Sequence, residues 1–377
     1  MRMFLFLFFF VYGACNFYIL IKARRALHPG TGLTLLLVAF MLMMIAAPVL
    51  VRLLERSGHE SLATVGAYTG YTWLGLAFIF ISASLFIDLY SFLLYAAGLL
   101  LKKDLSGLSL SARYSFFIPM GLAFVIGLYG YFEAIHIRTE HLLIRTSKLP
   151  EDITKLRIVQ ISDVHLGLIV GEKRLKSILK DIEKTAPDIL VSTGDLVDAQ
   201  ICNVKRFADL ISDLKPKYGK FAITGNHEFY AGLDQSLECS GEAGFVMLRG
   251  EALTIEGMIN MAGVDDPAGL RFGIPPASEK AILSALPSEI FTILLKHRPL
   301  VEHESVGLFA LQLSGHSHKG QIFPFSLATR LYYPVDAGFL DLGKGSHLYV
   351  SRGTGTWGPP IRFLAPPEIT VIDLVRE

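Results

Sequence analysis

Four long apolar runs in the first 135 residues restrict this chain more than any other feature of its sequence. The runs are Met3–Ile21, Leu33–Val51, Tyr71–Leu101 and Phe116–Ile135. A helix needs about 20 mostly apolar residues to cross the hydrocarbon core of a bilayer, and each run meets that length. The sequence therefore predicts a transmembrane region of four helices at 1–135, and an integral membrane protein.

The first run could instead be a cleaved signal peptide, because Tyr12–Cys15 loosely resembles a lipoprotein cleavage box. The apolar sequence continues through Phe17–Ile21, however, and the whole run is too long for the hydrophobic part of a signal peptide. We therefore expect an uncleaved span. The third run is longer than a span requires and contains Asp88. This residue is either functional, or it lies at the membrane interface or is satisfied within the helix bundle.

The orientation of the spans is predicted by the basic residues in the short loops between them, because basic loops stay in the cytoplasm. The first and third loops are the more basic and hold Lys22, Arg24, Arg25, Lys102, Lys103 and Arg113. The second loop holds only Arg52 and Arg56. Both chain ends, and everything after the fourth span, are therefore expected outside the cytoplasm. The basic residues Arg138, Arg145 and Lys148 after that span oppose this assignment.

The pattern changes after residue 135. We predict a polar linker at 136–155 and then, at 156–377, a domain of alternating strands and helices with an α/β (α+β layered sandwich) fold. Short apolar runs predict strands at Leu156–Ile161, Ile189–Val191, Phe221–Thr224, Phe245–Leu248, Met258–Ala262, Ile290–Leu295 and Leu308–Leu313. Helices are predicted at Lys173–Thr185 and Val204–Leu214. From Ile322 on, Gly, Pro and aromatic residues predict hairpins and loops with little helix.

Five of these strands end in residues that can bind metals. The polar residues that follow them are Asp163, His165, Asp195, Asp198, Asn226, His227, His297, His316 and His318. In open α/β sheets, ligands bind outside the carboxyl ends of the strands, so five segments would bring these side chains to one place. Carboxylates, imidazoles and an amide oxygen suit divalent ions such as Mn, Fe or Zn. The set is too large for one tetrahedral ion and fits two ions roughly 3.5–4 Å apart, which is the arrangement for in-line phosphoryl displacement.

These segments resemble the calcineurin-like metallophosphoesterase family, in which D-x-H, G-D-x-x-D, G-N-H-[ED], H and G-H-x-H occur in this order. The resemblance covers roughly residues 150–377, and the stretch from Ser351 to Glu368 is similar to the membrane-associated bacterial branch of that family. It implies a protein of the bacterial cytoplasmic membrane. It also implies a binuclear metal centre in which Asp163, His165 and His318 bind one ion, Asp195 bridges, and Asn226, His297 and His316 bind the other.

The resemblance further implies that His227 is not a ligand but faces the scissile phosphate and assists the leaving group, with Asp198 orienting its imidazole. A hydroxide bridging the two metals would attack phosphorus in line, and the imidazolium of His227 would protonate the departing oxygen. Three basic residues near the C-terminal loops, Lys319, Arg352 and Arg362, are candidate substrate contacts.

Together these features predict a membrane-anchored phosphohydrolase that cleaves a phosphoester or pyrophosphate on a lipid-linked or envelope substrate. One alternative is a UDP-2,3-diacylglucosamine-type pyrophosphatase of lipid A synthesis, which would need the site to face the cytoplasm. An alternative of another class is a non-enzymatic, metal-dependent membrane sensor, which the complete set of candidate ligands and the retained His227 oppose. The formal net charge of +1 argues against nucleic acid as a partner.

Overall fold

The computed structural model describes residues 2–198 and 204–377. It divides into two compact units, the first holding residues up to Phe132 with Gly358–Ile361, and the second holding Glu133–Trp357 with Arg362–Glu377. Four long helices and a 3-10 turn at Ser106–Leu108 precede the first strand. These helices are α1 (Arg2–Leu27), α2 (Thr31–Arg56), α3 (Glu60–Leu101) and α4 (Ala112–Ile135). By length and composition, four helical segments are able to cross a membrane, as the sequence predicted.

The helix α3 is continuous through Asp88 and has 42 residues. At 1.5 Å per residue it is roughly 60 Å long, about twice the thickness of a hydrocarbon core. Asp88 accepts a hydrogen bond from Tyr18 Oη at 2.6 Å and pairs with Lys22. Lys22 belongs to α1 rather than to a loop, so it supplies the counter-charge inside the bundle. The bundle-satisfied interpretation of Asp88 is therefore the one that the structure supports.

Small residues bring α2 and α3 together. A Cβ placed on Gly70 would lie 2.6 Å from the Cβ of Ala47, so the two backbones approach too closely for a larger side chain. Ala63 and Ala67, on the same helix as Gly70, are fully buried. Lipid-embedded helices associate largely through such close packing, because lipid offers no hydrophobic driving force between them.

The second unit contains two six-stranded sheets within the described residues. The strands are β1 (Arg138–Thr146), β2 (Lys155–Ile161), β3 (Ile189–Ser192), β4 (Lys220–Ala222), β5 (Phe245–Met247), β6 (Glu251–Ile255), β7 (Ile259–Gly263), β8 (Phe291–Leu295), β9 (Leu311–Ser314), β10 (Gly338–Gly343), β11 (Ser346–Val350) and β12 (Glu368–Arg376). The strand orders are β1-β12-β2-β3-β4-β5 and β10-β11-β9-β8-β7-β6. The run β2-β3-β4-β5 is parallel, and so is β7-β8-β9-β11.

Alternate strand residues build the core that the two sheets share. One buried cluster combines Ile158 of β2 and Ile372 of β12 with Ile293 of β8 and Leu313 of β9. Side chains two positions apart point to the same face of a strand, which is why each strand contributes every second residue. Residues whose side chains point to the other face of the first sheet, such as Val159, are also buried, so this sheet is covered on both faces.

Short helices accompany the sheets, and they are α5 (Glu172–Lys184), α6 (Val204–Ser212), α7 (Asn226–Ala231), α8 (Leu233–Glu242), α9 (Glu279–Ser284) and α10 (Phe325–Tyr332), with 3-10 turns at Pro267–Phe272, His303–Ser305 and His318–Gly320. Leu283 of α9 packs with Leu294 of β8 and Phe309 in a second cluster. The fold is therefore the predicted layered α/β sandwich. The strands and the two helices predicted in its first part are present within a few residues of their predicted bounds.

Two predictions about this unit need correction. The segment predicted to be a linker contains β1, which pairs in parallel with β12 along all nine of its residues. Its exposed side chains alternate with partly buried ones, as an edge strand allows, and its many polar residues hide it among loop residues. The region after Ile322 does form the predicted hairpin, through β10 and β11, but it also contains the helix α10 and the long strand β12.

Candidate metal centre

All of the predicted ligands lie directly after strands of the two sheets. Asp163 and His165 follow β2, Asp195 follows β3, and Asn226 begins α7 after β4. In the second sheet His297 follows β8, while His316 and His318 follow β9. Since β2–β4 run parallel to one another, as do β8 and β9, each sheet delivers its side chains at one edge. The structure brings these edges together, so side chains from five segments converge.

The first half of the cluster consists of Asp163, His165 and His318, each offering a ligand atom within 4.8 Å of the others. The Nε2 atoms of His165 and His318 are 3.1 Å apart. Nε2 of His318 is 3.4 Å from Oδ1 of Asp163. The Asp163 carboxylate is fixed by Ser162 Oγ at 2.5 Å and by the backbone N–H of His316. Its orientation is therefore set before any ligand binds.

The second half consists of Asn226, His297 and His316. Nε2 of His297 lies 3.0 Å from Nδ1 of His316 and 3.3 Å from Oδ1 of Asn226. Nδ1 of His297 is 2.8 Å from the carbonyl oxygen of Thr193, and a carbonyl only accepts, so Nδ1 carries the proton. In the neutral ring, Nε2 then carries a free lone pair that faces the cluster. A backbone acceptor that fixes the tautomer in this way is typical of metal-binding histidines.

Asp195 lies between the two halves. Its Oδ1 accepts a hydrogen bond from the backbone N–H of His227 at 2.8 Å. Its Oδ2 is left facing both sides, 3.3 Å from Nε2 of His297 and 3.8 Å from Nε2 of His165. Burial raises the pKa of this carboxyl, but His297 and His227 lower it more, and it stays well below its usual value. Asp195 is thus an ionised carboxylate whose Oδ2 faces both halves of the cluster.

The cluster is held on a strained backbone. Five of the seven predicted ligands have left-handed φ angles between 47° and 69°, namely Asp163, His165, Asp195, His316 and His318. Non-glycine residues in this region cost roughly 1–3 kcal/mol each and collect at functional sites. Glycine makes the approach of the segments possible, because a Cβ on Gly225 would collide with the Asp195 carboxylate.

The donor set fits divalent cations. Burial lowers the pKa of His316 to about 2, with His297 adding to the effect, and it also lowers the pKa of His318. Both rings are therefore neutral and able to donate lone pairs to a cation. Burial alone would lower the pKa of His297, but Asp195 raises it to about 10, so the carboxylates attract positive charge to the centre. Intermediate cations that accept nitrogen and oxygen ligands match this chemistry.

His227 and Asp198 form a separate pair beside the cluster. Nδ1 of His227 is 3.0 Å from Oδ1 of Asp198 and 3.1 Å from its carbonyl oxygen, so Nδ1 carries a proton and Nε2 points away. Burial lowers the pKa of His227, but Asp195 and Asp198 raise it to about 10. Oδ1 of Asp198 also lies 3.8 Å from Nδ1 of His165. Asp198 thus holds the His227 ring through its Nδ1 atom.

Glu228 holds the loop that carries Asp195, a role that the sequence did not reveal. Its buried carboxylate accepts backbone N–H groups from Asp195 at 3.0 Å, Leu196 at 2.8 Å, Val197 at 3.3 Å and Gly225 at 2.6 Å. One side chain therefore joins the segments after β3 and β4. The fourth position of the G-N-H-E segment was visible in the sequence, but three of its four partners lie 31 to 33 residues away.

We expect Glu228→Ala to lower the stability of the protein by at least about 3 kcal/mol, because it leaves several buried N–H groups without acceptors. Thermal unfolding of the full chain in detergent measures the effect. Glu228→Gln, which keeps one acceptor oxygen, should lose less. Glu238 is exposed on α8 and serves as the matched control. An unfolding temperature equal to that of Glu238→Ala would contradict this role.

Two of the three predicted substrate contacts have structural roles instead. Arg362 is fully buried and donates to the carbonyl oxygens of Gly355 at 2.6 Å, Arg352 at 2.8 Å and Ala365 at 3.0 Å. Its Nη2 also lies 3.0 Å from Nδ1 of His318.

Arg352 pairs with Glu368 at 2.7 Å and with Glu140, so its charge is already compensated within the domain. Lys319 follows His318 directly and is half-exposed, with a left-handed φ of 51°. Of the three, Lys319 alone stays a candidate substrate contact. Because Arg362 is a charged residue in a Gly- and Pro-rich loop, the sequence predicted an exposed side chain. In the structure, backbone carbonyls of this loop surround its guanidinium group instead.

Arg362→Met is expected to destabilise the full chain by at least about 3 kcal/mol, because three buried carbonyl groups lose a charged donor. The unfolding temperature in detergent should fall, while Arg271→Met, at an exposed position, should leave it unchanged. If Arg362 instead contacted substrate, the variant would unfold normally and show only a raised KM.

The comparisons with known proteins agree with this geometry. The family model of calcineurin-like phosphoesterases matches residues 156–320, which include all seven predicted ligands. The chain is 40% identical over 257 residues to an uncharacterized metallophosphoesterase of Aquifex aeolicus, and the match covers 68% of this chain and 98% of that protein.

In two further relatives, the match with this chain covers only part of the relative's length. A Campylobacter jejuni protein, also described as an uncharacterized metallophosphoesterase, is 35% identical over 60% of this chain and 61% of its own length. A Danio rerio protein named transmembrane protein with metallophosphoesterase domain is 33% identical over 61% of this chain and 56% of its own length. The chain thus spans somewhat more than half the length of these two relatives.

Proposed function

The chain belongs to the calcineurin-like metallophosphoesterases, a family of metal-dependent phosphoester hydrolases, and from this premise we propose that it cleaves a phosphoester or pyrophosphate on a lipid-linked or envelope substrate. The observation that carries the proposal is the placement of Asp195 Oδ2 between two groups of buried donors. Four apolar helices anchor the protein in a membrane, so a substrate in the same bilayer would meet it by diffusion in two dimensions.

We propose that Asp163, His165 and His318 hold one divalent cation, that Asn226, His297 and His316 hold another, and that Asp195 contacts both. When bound, such cations supply an activated water and neutralise charge on the phosphoryl oxygens. The chain supplies the remaining chemistry. Nε2 of His227 faces away from Asp198 and donates a proton to the departing oxygen, while Asp198 holds the ring and its Nδ1 proton in place.

Hydrolysis of bis-p-nitrophenyl phosphate by the purified full chain tests the enzymatic proposal. After chelation the protein should be inactive, and added manganese should restore turnover. Binding of manganese without hydrolysis of any phosphoester in a panel would instead favour the membrane sensor. Lipid-linked phosphoesters in nanodiscs, each paired with a short-chain analogue of the same head group, test the substrate class, and the lipid-linked member should be preferred.

The side of the membrane decides between two substrate classes. From the basic loops we propose that the catalytic domain lies outside the cytoplasm, at the bacterial cytoplasmic membrane. Fusions after residue 377 test this, since alkaline phosphatase should be active there and green fluorescent protein dark. The reverse result would place the site in the cytoplasm and favour the pyrophosphatase acting on a nucleotide-linked acylated sugar.

A further inference from the structure

Exposed aromatic side chains lie beside His227, and two of them contact its ring. The His227 ring lies 4.6 Å from the ring of His165, 5.8 Å from that of Tyr230 and 6.3 Å from that of Trp357. Phe272 continues the group, with its ring 6.5 Å from that of Tyr230. The residues Tyr230, Phe272 and Trp357 are 43%, 53% and 54% exposed. We call these three residues the aromatic rim.

Two of the three rim residues, Trp357 and Phe272, are anchored by neighbouring residues although they are exposed. The side-chain amide of Gln321 bonds the backbone of Trp357 twice, with Nε2 donating to the carbonyl and Oε1 accepting from the N–H, each at 2.9 Å. Phe272 stacks at 5.9 Å on Phe229, which is buried. Large aromatic groups held rigidly at the surface provide contact area at little cost in conformational entropy.

We propose that the aromatic rim is a subsite for the leaving group, and that it stacks on a planar ring carried by that group. The inference rests on the proposed function, because it takes His227 as the donor to the departing oxygen. Whatever is attached to that oxygen then lies beside the neighbours of His227, and these are aromatic. Tryptophan and tyrosine bind planar rings by stacking, whereas a small hydrated leaving group would gain nothing from them.

Ligand binding tests the subsite without turnover. The chain has two tryptophans, so in a Trp73→Phe background the emission comes from Trp357 alone. The full chain in detergent with manganese is titrated with phenylphosphonate and with cyclohexylphosphonate, which have the same number of carbon atoms but differ in planarity. Phenylphosphonate should quench the emission saturably and bind more tightly than cyclohexylphosphonate.

Substitutions of Trp357 then separate ring stacking from nonspecific apolar contact. Calorimetry measures the affinity of each variant for both ligands. Trp357→Leu should weaken phenylphosphonate binding roughly tenfold and cyclohexylphosphonate binding less than about twofold, a difference typical of one lost stacking contact. Trp357→Phe should keep most of the affinity. Phe339→Leu removes an equally exposed ring of β10 and should change neither. Equal losses for both ligands, unchanged affinities, or no binding at all would overturn the subsite.

The same preparation distinguishes this proposal from the enzymatic one. Hydrolysis of bis-p-nitrophenyl phosphate without ring-selective binding overturns the subsite and leaves the hydrolase. Ring-selective binding without hydrolysis of any phosphoester supports the rim as a ring-binding site and overturns the proposed reaction.

Discussion

Asp195→Ala is expected to reduce metal-dependent hydrolysis by at least about 10³-fold and to lower the metal content of the purified protein. Oδ2 of Asp195 faces Nε2 of both His165 and His297, so its removal takes a ligand from each half of the centre at once. Turnover of bis-p-nitrophenyl phosphate and elemental analysis measure the two effects. Loss of a peripheral ligand, by contrast, should affect one cation only.

The variant Asp195→Asn separates the effect of losing the negative charge from the effect of disturbing the fold. The amide keeps an acceptor for the backbone N–H of His227, so the loop should hold its shape while the bridging charge is lost. We expect a folded protein with weak metal binding. Asp341, an exposed carboxylate of the β10–β11 hairpin, provides the matched control, and Asp341→Ala should behave as the unmodified protein. Full metal content and turnover in Asp195→Ala would show that Asp195 is not a ligand.

His227→Ala should retain its metals but lose turnover roughly 10²- to 10⁴-fold, the range typical of a positioned general acid. The loss should depend on the leaving group. An alkoxide leaving group needs protonation far more than p-nitrophenolate does. The variant should therefore lose more turnover on alkyl esters than on p-nitrophenyl esters. Asp198→Asn, which weakens the hold on the ring, should show the same dependence with a smaller loss.

A competing role for His227 is visible in the structure. His227 also forms a three-donor group with His165 and Asp195, so it could itself bind a cation. Elemental analysis decides between the roles, because an acid can be removed without loss of metal and a ligand cannot. A metal-depleted His227→Ala protein, or equal losses on both classes of ester, would contradict the acid role.

The position of the site could be predicted from sequence because it depends on local rules. Each strand is a short apolar run, and parallel strands place the residues that follow them at one edge of a sheet. Asp163, Asp195 and His297 are separated by up to 134 positions, yet each could be placed by reading only its own strand.

The supporting residues could not be predicted in this way. Glu228 is read locally only as the last residue of the G-N-H-E segment, and the loop after β3 makes it an acceptor for several N–H groups. Arg362 is read as a loop charge, and only the carbonyls around it make it a buried one. Likewise β1 is a weakly patterned edge strand whose partner lies roughly 230 residues further along the chain.

The interior position of β12 has a consequence for biosynthesis. Residues 368–376 lie between β1 and β2 and supply both strands with their hydrogen-bond partners. The strand β1 therefore has no partner until these residues have been made, whereas β2 can already pair with β3. Domains usually begin to fold from the N-terminal side during translation, but here the first sheet stays divided until residues 368–376 have been made. A ribosome that stalls anywhere before residue 368 would leave behind a membrane-inserted polypeptide with two open strand edges, a substrate for chaperones or for membrane proteases.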